Sequence, residues 1–477
     1  MTSLPLVVEV DPPLPVIDSL RAAGDWSSPI LFDSSLVRPP LGRYSSLSTD
    51  PVDRFQIDDV APGADPFGPL REKLRAFGTL ETPDGLGCFV GGAAGYLGYE
   101  LGQAFERLPR PTCDELEFPK LFAGIYDWSL VWDHVSRRQW LVSTGYPETD
   151  ERRRRGRAEA RAAEVLSHLR DAALRAESAA ATSGERAEIR SPRHPLAALP
   201  GLESNFDREG YQRAVAAVTE YIRAGDIFQA NLSQRLMYPF AGDPVELYAK
   251  LRRVNPAPFS GFLAHDDWAI ASASPERFLR LDGDEVETRP IKGTRRRWHD
   301  RPEADLFRGD DLRESEKDIA ENVMIVDLQR NDLSRVCRPG SIRVPRLCGL
   351  EIYETVQHLV SEVRGRLTGG RDFWDLLAAT FPGGSITGAP KVRAMEIIAE
   401  LEGVARGPYC GSLFYSGFDG RSDSSILIRT FAIRRGWAQC SVGGGVVVQS
   451  DPESEYAETI HKAAGMLNAL REFAKRQ

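Results

Sequence analysis

The chain has 477 residues, of which 42% are hydrophobic and 27% are charged, as in an ordinary globular protein. Its 60 basic and 69 acidic residues give a net charge of −9, which argues against a general nucleic-acid-binding protein with a basic surface. No apolar run reaches 18 residues, Glu9 and Asp11 interrupt the first apolar stretch, and the six cysteines contain no Cys-x-x-Cys pair. Neither a membrane span nor a secretory leader is predicted, and reduced thiols in the cytoplasm are expected.

Three stretches follow one another along the chain. Residues 1–147 alternate short apolar runs with proline and glycine, as in Leu121–Trp132, which predicts a strand-rich region. Residues 148–204 are rich first in alanine, arginine and glutamate and then in small and turn-forming residues, which predicts a helical and low-complexity connector. Residues 205–477 alternate helical and strand patterns, which is typical of an α+β fold.

A helix and a polar-faced strand are predicted at the start of the third stretch. Residues 211–222 carry apolar side chains at helical spacing, and Gly225 is expected to end that helix. In the strand that follows, Gln229 and Asn231 share one face. Amides on a strand inside a large fold indicate a lined cavity, and an edge strand with a wet face is the alternative.

Lys292 stands in the string Glu287–Arg295, and only eight of the 60 basic residues are lysine. In a chain so rich in arginine, a lysine that supplied only charge would more often be arginine. Unlike a guanidinium, a lysine ammonium can be desolvated into a neutral amine. Lys292 is therefore a candidate nucleophile or base, and a surface cation in a Pro-Gly turn is the alternative.

Two predicted helices carry acidic residues three positions apart. Asp318 and Glu321 form one pair, and Glu455 and Glu458 form the other. This spacing puts each pair on one face of its helix. Two such faces opposed to each other offer all-oxygen ligands, which suit Mg²⁺, whereas solvated surface acids are the alternative.

Three further segments are candidates for binding anions. The glycine-rich run 382–391 leads into a helix, whose positive N-terminal end favours a carboxylate or phosphate. Arg429, on a strand predicted over 425–431, carries a bidentate fork suited to a planar anion. Gly443, Gly444 and Gly445 are expected after a strand, where they form either an amide-lined site or a tight turn.

Together these strings resemble the chorismate-utilising enzymes, a family that includes anthranilate synthase component I. The matching segments are Gly225–Gln234, Ser274–Phe278, Arg289–Thr294, Val326–Asp332, His358–Ser361 and Pro382–Lys391. The resemblance implies the family fold, a large α+β sandwich of two antiparallel β-sheets flanked by helices. It also implies that 205–477 is the chorismate-binding catalytic region.

Roles follow from the resemblance residue by residue. Glu321 and Glu458 would bind Mg²⁺ directly, with Asp318 and Glu455 assisting. Glu276 would act as the general acid on the departing 4-hydroxyl, and His358 would orient the ring. Ser385, Tyr409, Arg429, Gly445 and Lys462 would hold the substrate carboxylates. The strand and glycine patterns add Gln229, Asn231, Gly443 and Gly444 as candidate substrate-binding residues.

Two positions separate the activities within the family. Members that make anthranilate carry alanine at the position of Lys292, and members that make isochorismate or salicylate carry lysine at the position of Gln229. Lysine at the first and glutamine at the second resemble the members that form 4-amino-4-deoxychorismate for 4-aminobenzoate and folate biosynthesis. In these members the lysine amine adds to carbon 2 of chorismate before ammonia enters at carbon 4.

The chain contains no Gly-x-Cys-x-Gly glutaminase motif, so a separate glutamine amidotransferase subunit is expected to supply ammonia. An anthranilate synthase or another chorismate-converting enzyme is the alternative function. A non-catalytic chorismate-binding protein is a remote alternative. No nucleic-acid or membrane partner is expected.

Overall fold

The computed structural model describes residues 4–83, 85–175, 186–297, 309–352 and 356–475. The main helices in these ranges are α1 (Val16–Ala23), α2 (Gly68–Phe77), α3 (Glu151–Arg175), α4 (Arg208–Arg223), α5 (Pro244–Val254), α6 (Glu316–Ser334), α7 (Phe373–Thr380), α8 (Lys391–Glu402) and α9 (Pro452–Ala474). Short 3₁₀ helices span Tyr99–Ala104 and Gly384–Ile386. None of the described helices is long and apolar enough to cross a membrane.

The described strands pair antiparallel in two large sheets. In chain order they are β1 (Leu6–Glu9), β2 (Ile30–Asp33), β3 (Tyr44–Ser48), β4 (Asp53–Ile57), β5 (Gly92–Leu97), β6 (Leu121–Tyr126), β7 (Trp128–Asp133), β8 (Arg138–Ser143), β9 (His194–Pro195), β10 (Glu203–Ser204), β11 (Gln229–Pro239), β12 (Phe259–His265), β13 (Trp268–Ser274), β14 (Arg277–Asp282), β15 (Glu285–Thr288), β16 (Ile291–Arg296), β17 (Arg343–Ile352), β18 (Val356–Arg366), β19 (Gly388–Ala389), β20 (Ser412–Gly417), β21 (Ser422–Ile426), β22 (Thr430–Arg434) and β23 (Trp437–Val446).

The first sheet has the order β1-β8-β7-β3-β2-β12-β13-β22-β23-β11-β10-β9, with β19 on β11. The second has the order β16-β18-β15-β14-β21-β20-β5-β6-β4, with β17 on β18. Strands from 1–147 and from 205–477 are therefore neighbours in both sheets. The division of the chain into 1–147, 148–204 and 205–477 stays a prediction about its organisation.

The predicted sandwich of two sheets with flanking helices is confirmed. Side chains from both sheets meet between them in one apolar cluster, which includes Phe122, Trp268 and Leu413. A second cluster packs α1, α3, α5 and α9 against the first sheet, and a third packs α2, α6 and α7 against the second. Burial of the apolar faces of both sheets and helices supplies the main driving force for this arrangement.

Local patterns predicted several elements correctly. Helix α4 covers the predicted stripe, and Gly225 beyond its end has φ +85°, a left-handed conformation that glycine adopts without strain. The amide-bearing segment forms β11, although Phe228 lies just outside the strand and is 70% exposed.

The strand predicted over 425–431 is wrong, because the chain changes sheet within it. Strand β21 ends at Ile426 in the second sheet and β22 begins at Thr430 in the first, with Arg429 between them at φ +54°. Its hydrogen-bonded neighbours make the same change, since β13 in the first sheet passes through Glu276 into β14 in the second. Glu276 and Arg429 therefore both lie at a crossover between the sheets.

Of the two alternatives for the three glycines, the tight turn is wrong and the amide-lined site stays a prediction. Gly443, Gly444 and Gly445 lie within β23, where they pair with Ser233, Leu232 and Asn231 of β11, and they form no turn. A Cβ on Gly443 would come within 2.3 Å of the Leu232 carbonyl oxygen. Close approach between the two strands, rather than a turn, accounts for glycine there.

Candidate active site

Lys292, Glu276 and Ser385 come together from three separate segments. Lys292 lies on β16, Glu276 lies at the sheet crossover, and Ser385 lies in the 3₁₀ helix Gly384–Ile386. The Lys292 Nζ donates to the carbonyl oxygen of Ser385 at 3.2 Å. The Ser385 hydroxyl donates to Glu276 Oε1 at 2.7 Å. Ser385 thus contacts the Lys292 amine through its backbone carbonyl and the Glu276 carboxyl through its hydroxyl.

Burial changes the acidity of Glu276. Its side chain is 4% exposed, and desolvation raises the pKa of its carboxyl to about 7. The hydrogen bond from Ser385 and the charge of Lys292 oppose this rise without cancelling it. A carboxyl that is part protonated near neutral pH is suited to donate a proton.

Gln229 is fully buried beside this group. Neither its side-chain nitrogen nor its side-chain oxygen has a hydrogen-bond partner among the described residues. A Cβ on Gly445 would lie 2.2 Å from Gln229 Nε2 and 3.3 Å from Lys292 Nζ, so the amide and the amine meet over that glycine. Leaving a buried amide unpaired costs about 1–3 kcal/mol, which a polar ligand at this point would recover.

The edge-strand alternative for β11 is wrong, and the lined cavity stays a prediction. Gln229 pairs with Ala389 of β19, and its neighbour Ala230 pairs with both β19 and Val446 of β23. Asn231 is buried, and its backbone pairs with Gly445 of the neighbouring strand β23. The polar face of the strand therefore points into the fold.

Three of the four predicted acidic residues gather around Lys317. Its Nζ lies 3.5 Å from Glu455 Oε1 and 4.0 Å from Glu321 Oε1. Burial lowers the pKa of Lys317, but the charges of Glu455, Glu321 and Glu458 outweigh it, and the net shift is upward. Desolvation raises the pKa of Glu321. The charges of Lys292 and Lys317 oppose this rise, and the charges of Asp318 and Glu455 add to it.

The fourth acid, Asp318, has a different partner. Its Oδ2 accepts from Arg295 Nη2 at 3.0 Å. Among the described residues, no three acidic, histidine or cysteine side chains are arranged so that they could hold a metal ion as they stand. Even so, Glu321, Glu455 and Glu458 bring carboxylates to one place where a positive charge is needed, and an all-oxygen donor set of this kind fits Mg²⁺.

The predicted carboxylate-binding residues lie next to these acids. Lys462 Nζ pairs with Glu458 Oε1 at 2.6 Å and donates to the Gly443 carbonyl at 2.9 Å. Arg429 Nη1 donates to the Lys462 carbonyl at 2.7 Å. A Cβ on Gly444 would lie 3.3 Å from both Glu455 Oε2 and Lys462 Nζ, so the glycine strand joins the acids to the cations.

Two buried rings complete the group. Burial, and then the charge of Arg429, lower the pKa of His358 to about 4, so its imidazole is neutral near pH 7. Tyr409 is 5% exposed, and burial raises its pKa well above the usual range. Both rings can therefore offer neutral hydrogen-bonding groups to a substrate.

Sequence reasoning missed Lys317 and Arg295. Lys317 stands among the metal-binding candidates as their countercharge, and Arg295 holds Asp318. One available signal was that Lys317 is another of the eight lysines in a chain that otherwise uses arginine. No local pattern indicates its contact with Glu455, which is 138 positions away.

Comparison with known proteins places these residues in a family context. The sequence profile described as chorismate binding enzyme matches residues 33–468. Aminodeoxychorismate synthase component 1 of Salmonella typhimurium is 40% identical over 442 residues, which cover 90% of each chain. Anthranilate synthase component 1 of Streptomyces coelicolor is also 40% identical, over 96% of this chain and 86% of its own. Anthranilate synthase component I of Streptococcus pneumoniae shares the fold with a TM-score of 0.74 and 29% identity, over 91% of this chain and 94% of that structure.

Proposed function

The chain belongs to the chorismate-binding enzyme family, and we propose that it aminates chorismate at carbon 4 to give 4-amino-4-deoxychorismate, in Mg²⁺-dependent fashion, for 4-aminobenzoate and folate biosynthesis. Overall identity does not separate this activity from anthranilate formation, since relatives of both names are 40% identical. The observation that carries the proposal is the position of Lys292 Nζ, which lies beside Ser385, Gln229 and Gly445.

Lys292 acts as the nucleophile in the proposed reaction. Once unprotonated, its amine forms a bond to carbon 2 of chorismate, the ring double bond shifts, and the bond between carbon 4 and its hydroxyl breaks. Ammonia then forms a bond to carbon 4, the double bond shifts back, and the bond from carbon 2 to Nζ breaks. The covalent adduct splits one difficult substitution into two easier steps.

Glu276 is the acid of the first step. Its carboxyl, with a pKa raised to about 7 by burial, gives its proton to the departing hydroxyl, which leaves as water. The ammonium formed at carbon 4 in the second step supplies the proton that restores the acid. Ser385 holds Glu276 Oε1 in place through its hydroxyl.

The substrate carboxylates are assigned to Ser385, Tyr409, Arg429, Gly445 and Lys462, and His358 positions the ring as a neutral imidazole. The buried amide of Gln229 pairs with a polar group of the ligand rather than activating water, as a lysine there would. Fixed cationic and amide donors of this kind orient a dicarboxylate before reaction.

Mg²⁺ is assigned to Glu321 and Glu458, with Glu455 and Asp318 assisting. When bound, it anchors a substrate carboxylate and withdraws electron density from the ring. The carboxylates that hold it are presently balanced by Lys317 and Lys462, so these lysines are expected to move aside on metal binding.

Glu321→Gln is expected to raise the Mg²⁺ concentration for half-maximal turnover at least about tenfold, a loss seen even for indirect partners of metal sites. Both Mg²⁺-dependent turnover and Mg²⁺ binding by calorimetry measure this. Glu316→Gln is the matched control, because Glu316 is exposed on the first turn of the same helix. Equal Mg²⁺ affinity in the two variants would contradict the assignment.

A separate glutaminase subunit is proposed as the source of ammonia. The relatives are named component 1, and this chain has no Gly-x-Cys-x-Gly motif of its own. The protein alone is therefore expected to use ammonium but not glutamine.

The test of the proposed function is the identity of the product. The protein is incubated with chorismate, Mg²⁺ and ammonium, and the product is analysed by mass spectrometry before and after an added lyase. Formation of 4-aminobenzoate after the lyase supports the proposal. Fluorescent anthranilate would establish the alternative that the Streptomyces relative favours, and binding of chorismate without turnover would establish the non-catalytic alternative.

A further inference from the structure

Arg406 is a buried arginine that the proposed chemistry does not use. It is 3% exposed and lies four residues after Glu402, which is itself 5% exposed. Nε and Nη2 of Arg406 donate to the two carboxylate oxygens of Glu402 at 2.9 and 2.7 Å. This bidentate pair neutralises the guanidinium inside the protein.

The remaining donors of Arg406 reach the backbone of two site segments. Nη1 donates to the Ile386 carbonyl at 3.0 Å, and Nη2 donates to the Asn231 carbonyl at 2.6 Å. Ile386 directly follows Ser385, and Asn231 lies two residues after Gln229. One side chain thus joins the loop of the Glu276 partner to the strand of the buried amide.

Arg406 also contacts two tyrosine rings. The guanidinium carbon lies 4.6 Å from the ring centroid of Tyr99 and 5.7 Å from that of Tyr409. A buried cation over an aromatic face is attracted to it. Tyr409 is one of the proposed carboxylate-binding residues, so a third part of the site depends on the same group.

Glu402 extends the connection along β11. Its Oε1 accepts from both the backbone nitrogen of Ser233, at 2.7 Å, and the Ser233 hydroxyl, at 2.8 Å. The Arg406 carbonyl accepts from Gln439 Nε2 on β23 at 3.2 Å. The pair therefore contacts both strands that meet at Gly445.

We infer that Arg406, paired with Glu402, is a positioning residue that holds the Ser385 loop, the Gln229–Asn231 strand and the Tyr409 ring in register for binding chorismate. The inference rests on the proposed function only in naming chorismate as the ligand. Arginine is required because its planar fork donates in several fixed directions at once, whereas lysine is a point charge on a flexible stem.

Stability alone does not account for this pair. A buried ion pair is often replaced by uncharged residues of similar volume with no loss of stability, because burying the charges costs about as much as their attraction returns. We therefore expect the pair to matter chiefly for the positions of the segments that it joins, and an experiment can separate this effect from an effect on stability.

The experiment compares three variants of the full chain. Arg406→Lys keeps the charge and loses the fork. The double variant Arg406→Met with Glu402→Gln removes both charges, while the glutamine oxygen still accepts from Ser233. Arg235→Lys is the control, since Arg235 is also 3% exposed and paired with an acid, Glu115, whose side chain is 7% exposed. The described side-chain contacts of Arg235 include none of the proposed site. Melting temperature, the dissociation constant for chorismate, and kcat and KM for chorismate consumption are measured for each.

Both Arg406 variants are expected to lose about 100-fold in kcat/KM, the cost of misplacing reacting groups by about 1 Å, and to bind chorismate more weakly. The double variant is expected to stay folded with a lowered melting temperature, because methionine leaves the Ile386 and Asn231 carbonyls without their Arg406 donors. The control is expected to keep kcat/KM within about threefold. Wild-type chorismate affinity in either Arg406 variant overturns the inference. The inference is also overturned if, in all three variants, the loss of kcat/KM is in the same proportion to the fall in melting temperature. Failure of both Arg406 variants to fold overturns it as well, because either outcome means that Arg406 contributes only to stability. Since the assay follows chorismate, an anthranilate product from the wild-type protein would refute the proposed function and leave this comparison intact.

Discussion

Replacing Lys292 by alanine is expected to lower formation of 4-amino-4-deoxychorismate by more than about 1000-fold, since loss of a covalent nucleophile costs up to about a million-fold. Chorismate should still bind, because the groups assigned to its carboxylates lie on other elements. Turnover with saturating ammonium, together with the dissociation constant for chorismate, measures both effects. The structural reason is the position of Nζ at the junction of Ser385, Gln229 and Gly445.

Lys292→Arg is the matched variant, because it keeps the charge and cannot become a neutral amine. It is expected to be as inactive as the alanine variant. Wild-type protein quenched without ammonia should carry one chorismate less one water on Lys292, detected in the intact mass and located by peptide analysis. Any residual product of the alanine variant should carry nitrogen at carbon 2, where removal of the side chain leaves room. Unchanged turnover in the alanine variant would refute the nucleophile assignment.

Glu276→Gln is expected to reduce kcat by about 10²- to 10⁴-fold, the usual contribution of a positioned general acid. Glutamine retains an oxygen that accepts from the Ser385 hydroxyl, so the side chain should stay in place. The loss is expected in kcat rather than in the affinity for chorismate, because Glu276 acts on the leaving group. Steady-state kinetics with a separate binding measurement distinguishes the two.

The pH dependence identifies the same group. Burial raises the pKa of Glu276 to about 7, so its proton-donating fraction falls as pH rises through that value. The wild-type kcat/KM should therefore contain a declining ionisation near pH 7 that is absent from Glu276→Gln. Burial and the charge of Asp114 also raise the pKa of Glu100 to about 7. Glu100→Gln should keep the decline, and its disappearance there instead would refute the assignment.

Helices and strands were the part of the fold most open to prediction. Apolar spacing over 211–222 indicates α4, and the acidic pairs at three-residue spacing lie on α6 and α9 as expected. Such patterns depend on neighbours within a few turns of the chain, so they are present in the sequence itself. The strings around Lys292 and Ser385 likewise indicated residues that lie together in the candidate site.

Local sequence patterns did not predict the contacts between segments that are distant in the chain. The segment 425–431 reads as one apolar strand, but its two ends pair with different sheets, and Arg429 lies between them. Gly443–Gly445 are compatible with either a tight turn or an amide-lined site until their pairing with β11 is known. Pairing is set by the packing of the whole sheet rather than by the propensity of one strand.

The sequence by itself determined which chemical groups this protein carries and the helices and strands that bear them, because residue type and periodicity are local properties. Its matching strings also indicated the family. Only the tertiary structure decided how those groups act on one another. It brings Glu276 to Ser385 across 109 positions and buries it until its pKa rises to about 7. It also places Lys317 among the acids and joins Arg406 to the backbone of two site segments. Desolvation and long-range contact arise from packing, and packing exists only once the two sheets have met.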